Sequence, residues 1–78
     1  MNISRDPDLR KEYNADKNAL TPSAQDRLKT FLKEDDWGPR ETCAELMADL
    51  LGEGGEWKVD LDRYFARTKK WLKARLAL

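Results

Sequence analysis

The sequence predicts an all-α protein, a small single-domain helical bundle of three main helices plus a short N-terminal helix or arm. Three observations carry that expectation. Apolar residues recur at steps of three and four, the spacing that gathers them on one side of a helix. Each of the three prolines precedes a helix-compatible run, and proline at the first helical position sacrifices no hydrogen bond. Strand signals are almost absent, with one Val, one Ile and no alternating run of useful length.

In chain order, the first helix is expected from about Pro7 to Asn14, with Leu9 and Tyr13 one turn apart, followed by a loop to Leu20. The second is expected from Pro22 to Glu34, with Ala24, Leu28, Phe31 and Leu32 on one face. Asp6 and Thr21 stand before these prolines as side-chain caps. The third runs from Pro39 to Leu51 and carries Cys43, Leu46, Met47, Leu50 and Leu51, with Gly52 placed as its C-terminal cap. The glycine-rich stretch from Gly52 to Lys58 turns the chain into the final helix. That last helix is expected to be continuous from Val59 to Leu78. Leu61, Tyr64, Phe65, Thr68, Trp71, Leu72 and Leu76 form its inner face, Asp60 its cap, and Val59 and Tyr64 a hydrophobic staple. Residues 1–20 therefore read as an N-terminal arm or short helix, and residues 21–78 as a three-helix core.

At 78 residues the chain has room for one domain and a small core, without a disulfide to help, because Cys43 is its single cysteine. Cys43 falls on an apolar helix face and reads as a buried thiol, which suits a reducing compartment. No apolar run approaches the length of a membrane span, and the N-terminal stretch lacks an apolar signal core, so the expected location is cytoplasmic. There is no histidine. That removes the usual general base near neutral pH and the commonest metal ligand, so no cofactor and no metal site is expected. The hydroxyl residues have no imidazole to activate them, and a bundle this small offers little room for a catalytic pocket. No catalytic residues are assigned, and the chain is not expected to be an enzyme.

Formal charge is zero, but it is segregated. Residues 1–33 carry seven basic and five acidic groups, residues 34–56 one and eight, and residues 57–78 seven and two. The middle acidic block places Glu41, Glu45 and Asp49 at steps of four along the third helix, opposite its leucines. Successive carboxylates there stand ~6 Å apart, from a rise of ~1.5 Å per residue. That approaches the spacing of phosphates along one nucleic-acid strand. Asp35 and Asp36 precede this row, and Trp37 and Trp57 flank it. Tryptophan is over-represented among the residues that carry interface binding energy. These seven residues are the candidate partner-binding set.

The basic block supplies an alternative set. Arg63, Arg67, Lys70 and Lys73 on the last helix have the chemistry to contact phosphates directly. A helix-turn-helix built from the second and third helices is disfavoured, because its recognition helix would bring three carboxylates towards phosphates. No stretch carries a family motif. Very small, histidine-free, charge-segregated helical proteins are common among phage-encoded inhibitors of host systems, including anti-CRISPR proteins. The expected function follows that pattern: a non-enzymatic interaction module that occludes a basic, nucleic-acid-binding surface on a larger protein or complex with its acidic helix. The alternatives are a nucleic-acid-binding module using the basic helix, and a homodimer that completes its core with a second copy.

Overall fold

The computed structural model describes residues 3–33 and 36–77. Five α-helices follow one another: α1 (Pro7–Asn18), α2 (Pro22–Arg27), α3 (Trp37–Leu50), α4 (Lys58–Tyr64) and α5 (Ala66–Arg75). Short 3₁₀ turns stand at Ile3–Arg5 and Lys29–Leu32. No strand forms among the described residues. The fold is all-α. No helix in this part of the chain is long and apolar enough to cross a membrane.

Two of the three proline signals act as expected. Asp6 Oδ1 accepts the Asp8 N–H at 2.8 Å, and Thr21 Oγ1 accepts the Ala24 N–H at 3.2 Å, so α1 and α2 both begin on a side-chain cap followed by proline. α3 begins two residues before Pro39, and Asp36 makes no side-chain cap bond there. Proline is tolerated in this first turn because its missing N–H would have had no partner. At the other end of α3 the glycine cap is complete. Gly52 takes φ +84°, its N–H reaches the Asp49 carbonyl at 3.0 Å, and the Glu53 N–H reaches Ala48 at 2.7 Å. That pair of bonds closes the left-handed cap that glycine adopts without steric penalty.

Three further element boundaries differ from expectation, each for a tertiary reason. α1 continues to Asn18, because its third turn is held by Asp16, whose carboxylate is engaged on α5. Packing outweighs the modest helix propensity of Asn14. The second helix ends at Arg27 and tightens into the Lys29–Leu32 turn. With three residues per turn, Leu28 and Phe31 both point inward there, and both are fully buried. The Phe31 carbonyl is a hub at this point, accepting the Tyr13 hydroxyl in a short bond and Thr42 Oγ1 at 3.4 Å.

The last helix is broken at Phe65, whose φ −117° and ψ 41° lie outside helical geometry. Phe65 is completely buried and stacks on Tyr13 at 5.6 Å between ring centroids. Asp60 is not the cap of α4. It sits inside the first turn and pairs with Arg27 at 3.2 Å. Val59 is 76% exposed, so the expected staple with Tyr64 does not form.

The core draws on every α-helix. Leu9 and Tyr13 enter from α1, Ala24 from α2, Cys43 and Leu46 from α3, Leu61 from α4 and Leu72 from α5, joined by Leu28, Phe31 and Phe65 from the connections. Each large apolar side chain fully buried here contributes about 1.5–3 kcal/mol of transfer free energy. The expected arm is thus a working wall of the core: α1 packs chiefly on α5, while α3 packs on the Lys29–Leu32 turn and α4.

Candidate interaction surface

α3 turns Gly38, Pro39, Thr42, Cys43 and Leu46 into the core. The opposite side is left to solvent, where Trp37, Arg40, Ala44 and Leu51 are exposed and Ala48 is half-buried. Trp37 is 49% exposed and Leu51 62% exposed, so a large apolar group stands at each end of this stripe. Lys33 Nζ hangs over the Trp37 indole, 5.4 Å from the ring centroid. Glu41 and Glu45 flank the stripe, half-buried, and neither forms an ion pair with any described residue.

Asp49 leaves this face. A step of four overshoots one helical turn by about 40°, so two steps from Glu41 rotate Asp49 by about 80° towards α4 and α5. Its side chain is 4% exposed and lies between two lysines, Lys58 at 2.9 Å and Lys69 at 2.8 Å. Both lysines also hold Asp62, at 2.9 Å and 2.7 Å, which closes a ring of alternating charge. The ammonium groups of Lys69 and Lys58, each within ion-pair distance, hold the Asp49 carboxyl well below the usual carboxylate range. The same bonds to Asp49 and Asp62 raise both lysines. The Gly54 backbone closes over this ring, because a Cβ there would stand 3.2 Å from Asp49 Oδ1 and 3.1 Å from Lys58 Cδ. Acidic and basic blocks therefore meet inside one molecule at Asp49, and the row of three outward carboxylates is reduced to two.

Asp36 is also engaged. Arg10 forms a short bond with its Oδ1, and Arg5 approaches Oδ2 at 3.0 Å. The Arg10 hydrogen bond, with the Arg5 charge behind it, holds the Asp36 carboxyl below its ordinary value. Arg10 Nε also donates to the Ser4 carbonyl at 2.6 Å, so Asp36 acts as a clasp for the N-terminal 3₁₀ turn. Asp35 lies outside the described residues. Trp57 is half-buried, with its ring edge-on to Phe31 at 5.2 Å, and it closes one end of the core. Trp37 is the more exposed of the two flanking indoles.

The basic set divides as well. Arg63 is exposed and lies 5.7 Å from the Tyr64 ring centroid. Arg67 Nε pairs with Glu12 on α1 at 2.7 Å, which lowers the Glu12 carboxyl and raises Arg67. Lys70 and Lys73 are exposed and form no ion pair with any described residue. Between α1 and α5 the surface dips into an open groove of about 470 Å³, lined by Glu12, Arg67, Lys70, Trp71 and Ala74. The spacing of Trp71 along the last helix predicts a place in the core. Trp71 does pack against the core, but it is half-buried and also forms part of this groove. Glu12 carries no motif signal, since only the docking of α1 on α5 brings it there.

Two buried groups have the atoms for chemistry but not the ionisation. Burial pushes the Cys43 thiol up to about 11 and the Tyr13 hydroxyl up to about 12. A thiol that high is protonated at neutral pH and a poor nucleophile. Compared with known proteins, the chain matches no family model, and no curated protein or solved structure resembles it closely enough to count as a match.

Proposed function

We propose that this chain is a non-enzymatic helical interaction module whose contact surface is the solvent side of α3. The observation that carries the reading is Trp37. A large indole stands 49% exposed at the head of a helix whose next two turns carry Glu41 and Glu45, neither with an ion-pair partner among the described residues. Glu41 and Glu45 supply negative charge beside a strip that runs from Trp37 past Arg40, Ala44 and Ala48 to Leu51. The complementary partner is a larger protein or complex with a basic rim around an apolar centre. Occlusion of a basic, nucleic-acid-binding surface is the mode of action that suits those charges. Mimicry of a phosphate row rests on Glu41 and Glu45 alone, since Asp49 and Asp36 are spent on internal ion pairs.

The test is a comparative enrichment from nuclease-treated host lysate, using the wild-type chain, the double variant Glu41→Lys/Glu45→Lys, and Trp37→Ala. Trp37 is exposed, and Glu41 and Glu45 are half-buried without ion pairs to any described residue, so circular dichroism is expected to be unchanged. A protein enriched by the wild type and lost with both variants supports the reading. An identical set of proteins from all three baits sinks it.

A further inference from the structure

The groove between α1 and α5 has chemistry that the α3 surface does not use. Its walls are unlike each other. Trp71 and Ala74 contribute apolar lining, while Arg67 and Lys70 offer cations one turn apart on α5. The single carboxylate present, Glu12, is already neutralised by Arg67 at 2.7 Å. Lys11 and Lys70 add positive potential at the same carboxylate, and both are exposed without ion-pair partners among the described residues. Lys73 continues the cations of α5 beyond Lys70. The groove therefore brings a half-buried indole to its surface beside one more cation than carboxylate.

We propose that this groove binds single-stranded nucleic acid, with one unpaired base stacked on Trp71 and the adjoining phosphates on Lys70 and Lys11. A flat aromatic platform beside a cationic rim is the arrangement by which strands are held without sequence preference, since every base has a face to stack. Duplex is the wrong occupant. Its bases are paired and stacked on one another, and an indole at the bottom of a groove between two helices finds no free face. An acidic peptide would satisfy the lysines but leave the indole without a planar partner. The site is independent of the α3 surface, and neither stands or falls with the other.

The experiment is a fluorescence-anisotropy titration of the full chain against a labelled oligothymidylate of roughly twelve nucleotides, a length that spans a small single-strand site. Saturable binding at low salt is expected, with a log–log salt slope of about −1.4, from roughly two phosphates at ~0.7 each. Lys70→Glu alters an exposed side chain and is expected to weaken binding at least tenfold. Trp71→Leu keeps apolar cover on the core and is expected to cost roughly five- to a hundredfold, the range of one lost base stack. Lys29→Glu, on the Lys29–Leu32 turn, makes the same charge change elsewhere and is expected to alter affinity less than about twofold once salt screens it. Three outcomes overturn the proposal: no saturable binding, equal losses from Lys29→Glu and Lys70→Glu, or competition by a polyglutamate peptide as effective as by unlabelled oligothymidylate.

Discussion

Asp16 caps a helix to which it does not belong. Its Oδ2 accepts the Thr68 N–H at 2.8 Å and the Thr68 Oγ1 hydroxyl at 2.7 Å, across a separation of 52 residues. Thr68 is the third residue of α5, where backbone N–H groups have no partner within the helix. Negative charge is also favoured there by the helix dipole. The break at Phe65 and the start of α5 are thus stabilised by α1, with both Asp16 and Thr68 buried.

Removing that carboxylate strands two buried donors. Asp16→Ala is expected to destabilise the fold by about 2–3 kcal/mol, because each unsatisfied buried polar group costs roughly 1–3 kcal/mol. For a domain of this size the melting temperature falls by roughly 10–20 °C. Asp16→Asn retains one acceptor and is expected to fall between the two. A melting curve for Asp16→Ala that overlays the wild type would remove the cap from the account.

Gly38 reports on the Phe31 hub. A Cβ there would stand 2.7 Å from the Lys33 carbonyl, the Phe31 carbonyl and the Tyr13 hydroxyl. In an ordinary helix, replacing glycine with alanine gains up to about 1 kcal/mol. Here the clash with two backbone oxygens costs about 3 kcal/mol, the upper end for overpacking. The net expectation for Gly38→Ala is a loss of about 2 kcal/mol in urea unfolding. Gly55→Ala meets nothing within 4 Å and serves as the control, expected within about 0.5 kcal/mol of wild type.

The charge ring sets limits on stability at both ends of the pH scale. Asp49 is depressed in the folded state, so its contribution is complete above its unfolded value near 3.9 and is lost as pH falls through the lower folded value. Lys58 and Lys69 are raised, so theirs is complete below the unfolded value near 10.4 and is lost as pH rises through the folded one. Asp49→Asn should therefore lower stability at neutral pH and flatten the acid limb, which denaturant midpoints at stepped pH would reveal. Parallel acid limbs for the two proteins would contradict the assignment.

Cys43 gives a direct readout of opening. The thiol is 3% exposed and its ionisation lies at about 11, so it is both shielded and protonated at pH 8. Labelling by a disulfide reagent is expected to be at least roughly a thousandfold slower in the native protein than in urea, given a folding stability of about 5 kcal/mol. Asp16→Ala should shorten that lag, whereas Trp37→Ala should not. Fast native labelling would mean that α3 is not packed as described.

What could be read from the sequence was local. Pro7 and Pro22 with their preceding caps, and Gly52 as the end of α3, were legible because cap chemistry acts within a few residues. Leu28, Phe31, Leu46, Leu61 and Leu72 were legible as core from their spacing. The break at Phe65 was not, because no glycine or proline marks it and a carboxylate on another helix stabilises the restart. Asp49 misled because steps of four look like one face on paper while each adds about 40° of rotation. The groove was illegible for a similar reason: Glu12 and Trp71 become neighbours only when α1 docks on α5.

The pairing of α1 with α5 also sets an order of events. A ribosome adding about 5–20 residues per second makes Thr68 roughly 3–10 s after Asp16. Through that interval the inner face of α1, with Leu9 and Tyr13, has no α5 to cover it. A nascent chain halted before Phe65 would present that face to chaperones, and docking of α5, once it has emerged, would withdraw it.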